Sequence, residues 1–189
     1  MELLGEIPAA ALEQDTSVIF ALDSSLRITY CNAAWDHFAA ANGGLELVRP
    51  APIGRSLLEY IRGPVASYYE NAFRRVLTAA DPWQHVYECS SPTIFRKFMM
   101  HVFPLKKTSG LFVVNSLCVE RPHETSHESS GRVEYRSSDG MVVMCSHCRR
   151  TKRNEASDHW DWVPEYVERL PPNTSHGLCS LCLDYYYSN

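Results

Sequence analysis

The chain has 189 residues, of which 45% are hydrophobic and 21% charged, as in ordinary soluble globular proteins. Its formal net charge of -4 argues against a general affinity for nucleic acid or anionic membranes. No stretch approaches the roughly 18 apolar residues of a membrane span, and the start lacks the pattern of a secretion signal. These features predict a cytoplasmic protein that does not act at a membrane. Thiols stay reduced in that compartment, so the seven cysteines need a role other than disulfides.

The chain opens with signals for a helix and a hairpin. Residues 1–14 are predicted to form a short amphipathic helix, because apolar side chains recur there at helical spacing (Leu3, Leu4, Ile7 and Leu12). Residues 17–22 and 27–31 are rich in β-branched and aromatic residues, which favour strands. They flank residues 23–25, whose Asp-Ser-Ser sequence is typical of a tight turn, so a β-hairpin is expected.

Helix signals follow the hairpin. Asn32 has the chemistry of an N-cap, and the helix that it starts is expected to reach about Ala41. Residues 53–61 suggest a short helical piece. Pro64 suits the first turn of a longer helix that continues to about Ala79, with apolar residues at helical spacing (Val65, Tyr68, Tyr69, Phe73, Val76 and Leu77).

Three strand candidates then complete the first region of the chain, at residues 83–90, 93–104 and 111–119. The predicted order is therefore two strands, several helices and three strands. Residues 121–131 are polar and poor in apolar side chains, which is typical of a linker.

Over about residues 15–120 the chain resembles a PAS domain, the sensory module of many bacterial signalling proteins. The resemblance rests on residues 18–23 (VIFALD) and 28–35 (ITYCNAAW), which look like the first hairpin of the family and the Asn that starts its next helix. Residues 87–92 (YECSSP) and 96–105 (RKFMMHVFPL) look like a version of the domain that is frequent beside histidine kinases and cyclases.

The resemblance implies an α+β fold in which a five-stranded antiparallel sheet with flanking helices surrounds a small cavity. Such cavities hold haem, flavin or a metabolite in some members and nothing in others, and the sequence leaves the ligand unknown. The same side chains would equally suit a filled core. Eight residues are the candidate cavity wall: Trp35, Phe38, Leu58, Tyr69, Phe73, Phe98, Met100 and Val113.

Two Cys-x-x-Cys pairs lie within residues 132–189: Cys145 with Cys148, and Cys179 with Cys182. Two residues between cysteines allow a tight turn to point both sulfurs at one centre, and two such turns supply four thiolates at the corners of a tetrahedron. The pattern predicts one structural Zn²⁺. An iron–sulfur cluster, another metal, disulfides and free thiols remain the alternatives.

The 30 residues between the two pairs are predicted to contain an amphipathic helix. Apolar residues recur at helical spacing from Trp160 to Leu170, and Asp158 suits the N-cap or the first turn. Trp160 and Trp162 are expected to shield the zinc module. His147 and His176 are close to the cysteines in sequence and are candidates to contact the ligands rather than the metal.

This cysteine region also resembles a small module that is attached to bacterial PAS sensors and response regulators. The resemblance covers about residues 140–187 and rests on residues 144–150 (MCSHCRR) and 175–182 (SHGLCSLC). It places the chain in bacterial signal transduction but implies no particular chemistry.

The sequence predicts a protein that is not an enzyme. A zinc ion held by four thiolates has no open position for water, and the motifs of kinases and cyclases are missing. We therefore expect a PAS sensor or docking domain coupled to a zinc module, which forms a homodimer through its N-terminal helix and passes a signal to a kinase or response regulator. A redox switch at the zinc thiolates is one alternative, and a transcription-associated nucleic-acid binder is the other.

Overall fold

A computed structural model describes residues 8–105, 109–123, 134–154 and 158–187. The helices are α1 (Ala9–Gln14), α2 (Ala33–Ala41), α3 (Val65–Ala79), α4 (Pro164–Glu168) and α5 (Ser180–Tyr187). The strands are β1 (Val18–Leu22), β2 (Ile28–Cys31), β3 (Trp83–Glu88), β4 (Ile94–Leu105), β5 (Gly110–Pro122), β6 (Val142–Cys145), β7 (Thr151–Lys152), β8 (Trp160–Asp161) and β9 (Thr174–Gly177). No described helix is long and apolar enough to cross a membrane.

The chain divides into two compact units. The first unit contains residues 1–61, 69–87 and 98–118. The second contains residues 62–68, 88–97 and 119–189, so it combines the cysteine-rich region with two short segments from earlier in the chain.

The predicted α+β fold with a five-stranded antiparallel sheet is confirmed. The strand order is β2-β1-β5-β4-β3, so the first hairpin pairs with the last strand of the set through β1 and β5. In that pairing Phe20 lies opposite Val113. Alternation along the strands turns both of these buried side chains to the same face of the sheet.

The helix after the hairpin begins where the sequence predicts it. The Asn32 side chain accepts a hydrogen bond from the Trp35 backbone N–H, and the helix ends at Ala41. Asn32 is fully buried, and its polar atoms are satisfied by neighbouring backbone. Its Oδ1 also accepts from Ile19 N–H at 3.0 Å, and its Nδ2 donates to Leu12 O at 3.0 Å. One amide thus joins α1, β1 and α2.

The N-terminal helix is described only from Ala9 onward. Leu12 is buried and packs with Ile19 and Phe112, which lie on neighbouring strands of the sheet. Leu3, Leu4 and Ile7, which contributed to the predicted amphipathic helix, lie outside the described residues.

The short helical piece predicted for residues 53–61 is smaller than expected. It is a 3-10 helix over Leu57–Tyr60, which begins with a Ser56–Glu59 capping box. Residues 51–54 form turns instead, and Gly54 has a φ of +83°, which does not fit a right-handed helix.

The second unit contains a four-stranded sheet of order β8-β7-β6-β9 that the sequence did not predict. The sheet pairs β6 with β9 in parallel and β6 with β7 antiparallel. Its short strands bury Val142 and Met144 completely or nearly so. Strands β7 and β8 have only two residues each, which is too short to show the alternation of a strand in the sequence.

The long helix predicted from Trp160 to Leu170 is wrong, and so is an N-cap at Asp158. Trp160 lies in β8, and a short helix begins only at Pro164 and ends at Glu168. Proline is tolerated in the first turn of a helix but not in its interior, and it favours extended backbone in the residue before it. Pro164 therefore prevents the helix from starting earlier.

Candidate metal centre

The four predicted ligand cysteines lie together in the second unit. All four sulfurs are within 4.8 Å of one another, and all four residues are buried. The Sγ atoms of Cys148 and Cys179 are 3.7 Å apart. Four thiolates around Zn²⁺ at about 2.3 Å would have sulfur–sulfur distances of about 3.8 Å. The cluster therefore has dimensions that suit a metal ion bound by four thiolates.

The parallel pairing of β6 and β9 brings the two pairs together. Cys145 ends β6 and lies opposite Gly177, the last residue of β9, which is followed two residues later by Cys179. Cys182 lies in the first turn of α5. One pair thus follows a strand and the other starts a helix, and the register of two adjacent strands sets the distance between them.

The first pair lies in a tight turn. Arg149 N–H donates to Cys145 O at 3.1 Å, and Arg149 has a φ of +62°, which reverses the chain directly after Cys148. Cys145 N–H then pairs with Arg150 O at 2.8 Å. The turn also receives support from the second pair, because Cys179 N–H donates to the Cys145 sulfur at 3.4 Å.

The electrostatics of the cluster favour a cation. Hydrogen bonds among the thiols lower the pKa of Cys145 and of Cys179 and, together with burial, raise the pKa of Cys148 and of Cys182. The cluster therefore resists holding all four sulfurs as thiolates in the absence of a positive charge. Burial opposes charge on Arg150, but interaction with the Cys148 sulfur raises the pKa of its guanidinium. A divalent metal would deprotonate the thiols outright. No disulfide is present among the cysteines, all of which are described.

His147 contacts residues around the cluster rather than belonging to it. Its Nδ1 lies 2.6 Å from the Tyr186 hydroxyl oxygen, and its Nε2 accepts a hydrogen bond from Glu88 N–H at 3.5 Å. Burial lowers the pKa of His147, which keeps the ring neutral. Because Nε2 accepts, this hydrogen-bond network assigns the proton to Nδ1.

His176 is half-buried on β9, and burial followed by the nearby Arg62 and Arg149 lowers its pKa. It is not among the residues grouped at the candidate metal site. The role predicted for both histidines, support of the ligand cysteines, stays a prediction.

The tryptophans predicted to shield the cluster have other contacts. Trp162 donates a hydrogen bond from Nε1 to Pro92 O at 3.1 Å and stacks on His123 with ring centroids 3.8 Å apart. The Trp160 Nε1 is buried without a hydrogen-bond partner in the described part of the chain. Tyr186 was not predicted to lie at the site, although Cys182 and Tyr186 are four residues apart and share one helix face.

The residues predicted to line a cavity in the first region are mostly part of its core. Phe73, Val113, Phe98, Tyr69 and Met100 are buried, whereas Trp35, Phe38 and Leu58 are half-buried. Phe38 and Phe98 meet edge to face at 5.5 Å, and the Trp35 Nε1 donates to Leu47 O at 2.8 Å. The structure thus brings several of these side chains together, and a ligand cavity among them stays a prediction.

Several solved structures are similar to this chain. The PAS domain of BvgS from Bordetella pertussis is 16% identical with a TM-score of 0.47, and the match covers 60% of this chain and 85% of that one. The PAS domain of nitrogen regulation protein NR(II) from Vibrio parahaemolyticus is 14% identical with a TM-score of 0.42, covering 60% and 99%. The photoactive yellow protein domain of the sensor histidine kinase Ppr from Rhodospirillum centenum is 12% identical with a TM-score of 0.43, covering 60% and 95%.

No curated protein matches the chain. The family match is more direct, because it is made on the sequence and covers residues 12–118, more than half of the chain. These residues carry the first hairpin, the Asn32-capped helix and nearly all of the five-stranded sheet. The chain belongs to the PAS fold family.

Proposed function

We propose that this protein is a non-enzymatic bacterial signalling protein of the cytoplasm, in which a PAS domain senses or docks and a structural zinc module passes the signal to a partner protein. The family match over residues 12–118 supports the sensory role. The gathering of four buried cysteines in one compact unit is the observation that carries the rest of the proposal.

Zinc is the metal that best fits this cluster. Tetrahedral coordination by four thiolates is typical of structural zinc, and the 3.7 Å separation of the Cys148 and Cys179 sulfurs matches it closely. An iron–sulfur cluster would also use four thiolates but needs room for inorganic sulfide between the irons. Four protein ligands leave no open position, so the metal would stabilise the module rather than activate water.

The signal would pass as a shift between two populations of the protein. A ligand in the PAS domain, or a change in a homodimer seam at the N-terminal helix, would favour one state and alter the surface that a kinase or response regulator recognises. Exposed apolar side chains on α5, Leu181 and Tyr185, support a role for the module in protein contacts.

Native mass spectrometry of the full chain tests the proposal most directly. We expect the chain mass plus one Zn²⁺ per chain, and twice that mass if the homodimer forms. Cys179→Ser should lose the zinc, whereas Cys118→Ser, which removes an exposed cysteine outside the cluster, should keep it. Absence of zinc from freshly reduced protein would refute the zinc module, and a mass increment that matches iron plus sulfide would replace it with an iron–sulfur site.

A redox switch at the same cysteines is the second candidate, favoured by the short Cys148–Cys179 separation. After metal release, two thiols at that distance can be oxidised by a peroxide to one disulfide, with reduction of the peroxide to water. Titration with hydrogen peroxide and a zinc-sensitive dye separates the two roles. A structural site resists stoichiometric oxidant, whereas a switch releases one zinc per equivalent.

A further inference from the structure

We propose that metal occupancy of the four-cysteine cluster controls the order of residues 62–68 and 88–97, so that the metal state is reported at the start of α3 and at the β3–β4 turn. This inference rests on the proposed zinc site. Both segments lie inside the PAS family match, yet they belong to the same compact unit as the cysteines. Three sets of contacts within that unit carry the argument.

The first set joins Gly63 to the turn that holds Cys145 and Cys148. Gly63 has a φ of +70°, and a Cβ at this position would lie 2.9 Å from the His176 Cβ and in closer collision with the Ser146 side chain. Ser146 lies between the two cysteines and is fixed there, since its backbone N–H and its hydroxyl both donate to Gly177 O, at 2.8 and 2.9 Å. The chain before α3 thus packs directly on the ligand turn.

The second set joins α5 to the first turn of α3. The Tyr187 hydroxyl donates to Pro64 O at 2.9 Å, and the rings of Tyr186 and Tyr68 meet edge to face at 4.7 Å. Helix α5 has only eight residues, and a helix of that length is unstable by itself in water. Cys182 lies in its first turn, so loss of the metal would remove one of the bonds that hold α5 in place.

The third set joins the module to the β3–β4 turn. Glu88 N–H donates to His147 Nε2 at 3.5 Å, and Trp162 Nε1 donates to Pro92 O at 3.1 Å. His147 lies between the first two ligands, while Trp162 lies in the segment between the two pairs. Both ends of residues 88–92 are therefore bound by groups whose positions depend on the folded module.

Through these contacts, metal binding at the cysteines is coupled to the stability of residues 62–68 and 88–97, the two segments that lie inside the PAS family match. A module of this size buries little core, so a large share of its folding free energy would come from metal binding. A ligand that binds only the folded state stabilises every contact that exists only in that state. The segments 62–68 and 88–97 should consequently be protected when the metal is bound and exposed when it leaves.

Hydrogen exchange of the full chain, read by mass spectrometry, tests this inference. Protein loaded with one Zn²⁺ is compared with protein stripped by a chelator under reducing conditions. We expect exchange to become about tenfold faster or more in peptides covering residues 62–68 and 88–97. Peptides covering α2, in the first unit, serve as the internal control and should change much less. Equal rates in both segments with and without zinc would overturn the proposal.

A substitution that leaves the metal in place keeps the test decisive even where removal of zinc unfolds the whole protein. Tyr187→Phe removes only the hydroxyl that bonds Pro64 O, so zinc-loaded protein should keep its metal and exchange faster at residues 62–68 alone. Tyr135→Phe, which loses a hydrogen bond to Asp161 elsewhere in the unit, is the matched control and should leave residues 62–68 unchanged. Unchanged exchange in Tyr187→Phe, or the same change in both variants, would contradict the link.

Native mass spectrometry of each sample separates failure of this inference from failure of the proposed function. Absence of bound zinc refutes both, whereas bound zinc without a change of exchange at residues 62–68 and 88–97 refutes this inference alone.

Discussion

The hydroxyl of Tyr186 lies 2.6 Å from Nδ1 of His147, and this hydrogen bond connects the segments that carry the two cysteine pairs. His147 lies inside the first pair, and Tyr186 follows the second pair by one helical turn. Tyr186 is 6% exposed, so water competes little for its hydroxyl. The bond therefore helps to fix the separation of the two halves of the candidate site in the folded module.

Tyr186→Phe should weaken zinc binding without abolishing it. The ring still packs against Tyr68, but His147 Nδ1 loses its partner and only the bond from Glu88 N–H to Nε2 remains. Groups that support metal ligands typically contribute about tenfold or more to affinity. Competition with a chromogenic chelator measures the change. Tyr135→Phe, which loses a comparable bond to Asp161, should keep the original affinity, and equal affinities of the two variants would show that the Tyr186–His147 bond does not support the site.

The clustering of the four cysteines was predictable from their spacing, whereas the strands that position them were not. A Cys-x-x-Cys spacing is a local pattern, and both pairs do converge. The pairing of β6 with β9 joins strands about 30 residues apart, and the strands are too short to show alternation. The helical periodicity from Trp160 onward was misleading because Pro164 determines where α4 begins.

Gly63→Ala should destabilise the second unit more than a comparable change elsewhere. Its φ of +70° already penalises a side chain by about 1–2 kcal/mol, and the new Cβ would also collide with Ser146 and crowd His176. Gly140→Ala is the control, since Gly140 has a φ of +78° but nothing within 4 Å of its Cβ position. Thermal unfolding of zinc-loaded protein should show a larger decrease in Tm for Gly63→Ala. Equal decreases in Tm would mean that the Ser146 and His176 side chains move aside at no measurable cost in stability.

Asn32→Ala should be among the most destabilising changes in the first unit. It removes the α2 N-cap and leaves buried backbone groups of Ile19 and Leu12 without the Asn32 side chain as a partner. A lost cap costs about 1 kcal/mol, and each buried group left unpaired adds about 1–3 kcal/mol. Asn42→Ala, at an exposed position where the side chain donates to Phe38 O, is the control and should cost far less in urea denaturation. Similar costs would show that Asn32 acts only as a cap.

The PAS part of the sequence was predicted more completely because its signals are local and strong. Asn32 begins α2 as expected, and α3 ends at Ala79 as its apolar spacing indicated. What the sequence did not reveal is how the elements share polar groups. Arg49 shows this well, since it binds Asp36 and Glu13, which are 13 and 36 residues away. Pairing over such distances depends on the folded chain and has no local pattern.

Glu13→Gln should reduce stability at neutral pH and lose that effect in acid. Burial opposes ionisation of Glu13, but hydrogen bonds from Tyr30 at 2.7 Å and from Arg49 at 3.1 Å outweigh it and lower its pKa below the ordinary value of 4.5. A carboxylate whose pKa is lowered on folding contributes stability above its unfolded pKa, and this contribution is lost as the pH falls through the folded pKa. The gap in free energy of unfolding between wild type and Glu13→Gln should thus be constant near pH 7 and narrow below about pH 4.5.

The Glu13 gap should remain below about 1 kcal/mol, because the ion pair with Arg49 is partly exposed to solvent. In a Tyr30→Phe background the gap should shrink already at pH 7, since the carboxylate has then lost its shortest hydrogen bond. Urea denaturation of the four proteins at several pH values measures both effects as a double-mutant cycle. Loss of the proposed zinc in acid should affect all four proteins alike and cancel in the differences, because the substitutions lie in the first unit and the cysteine cluster lies in the second. A gap that widens as the pH falls would contradict the assignment, because it would mean that folding raises the pKa of Glu13.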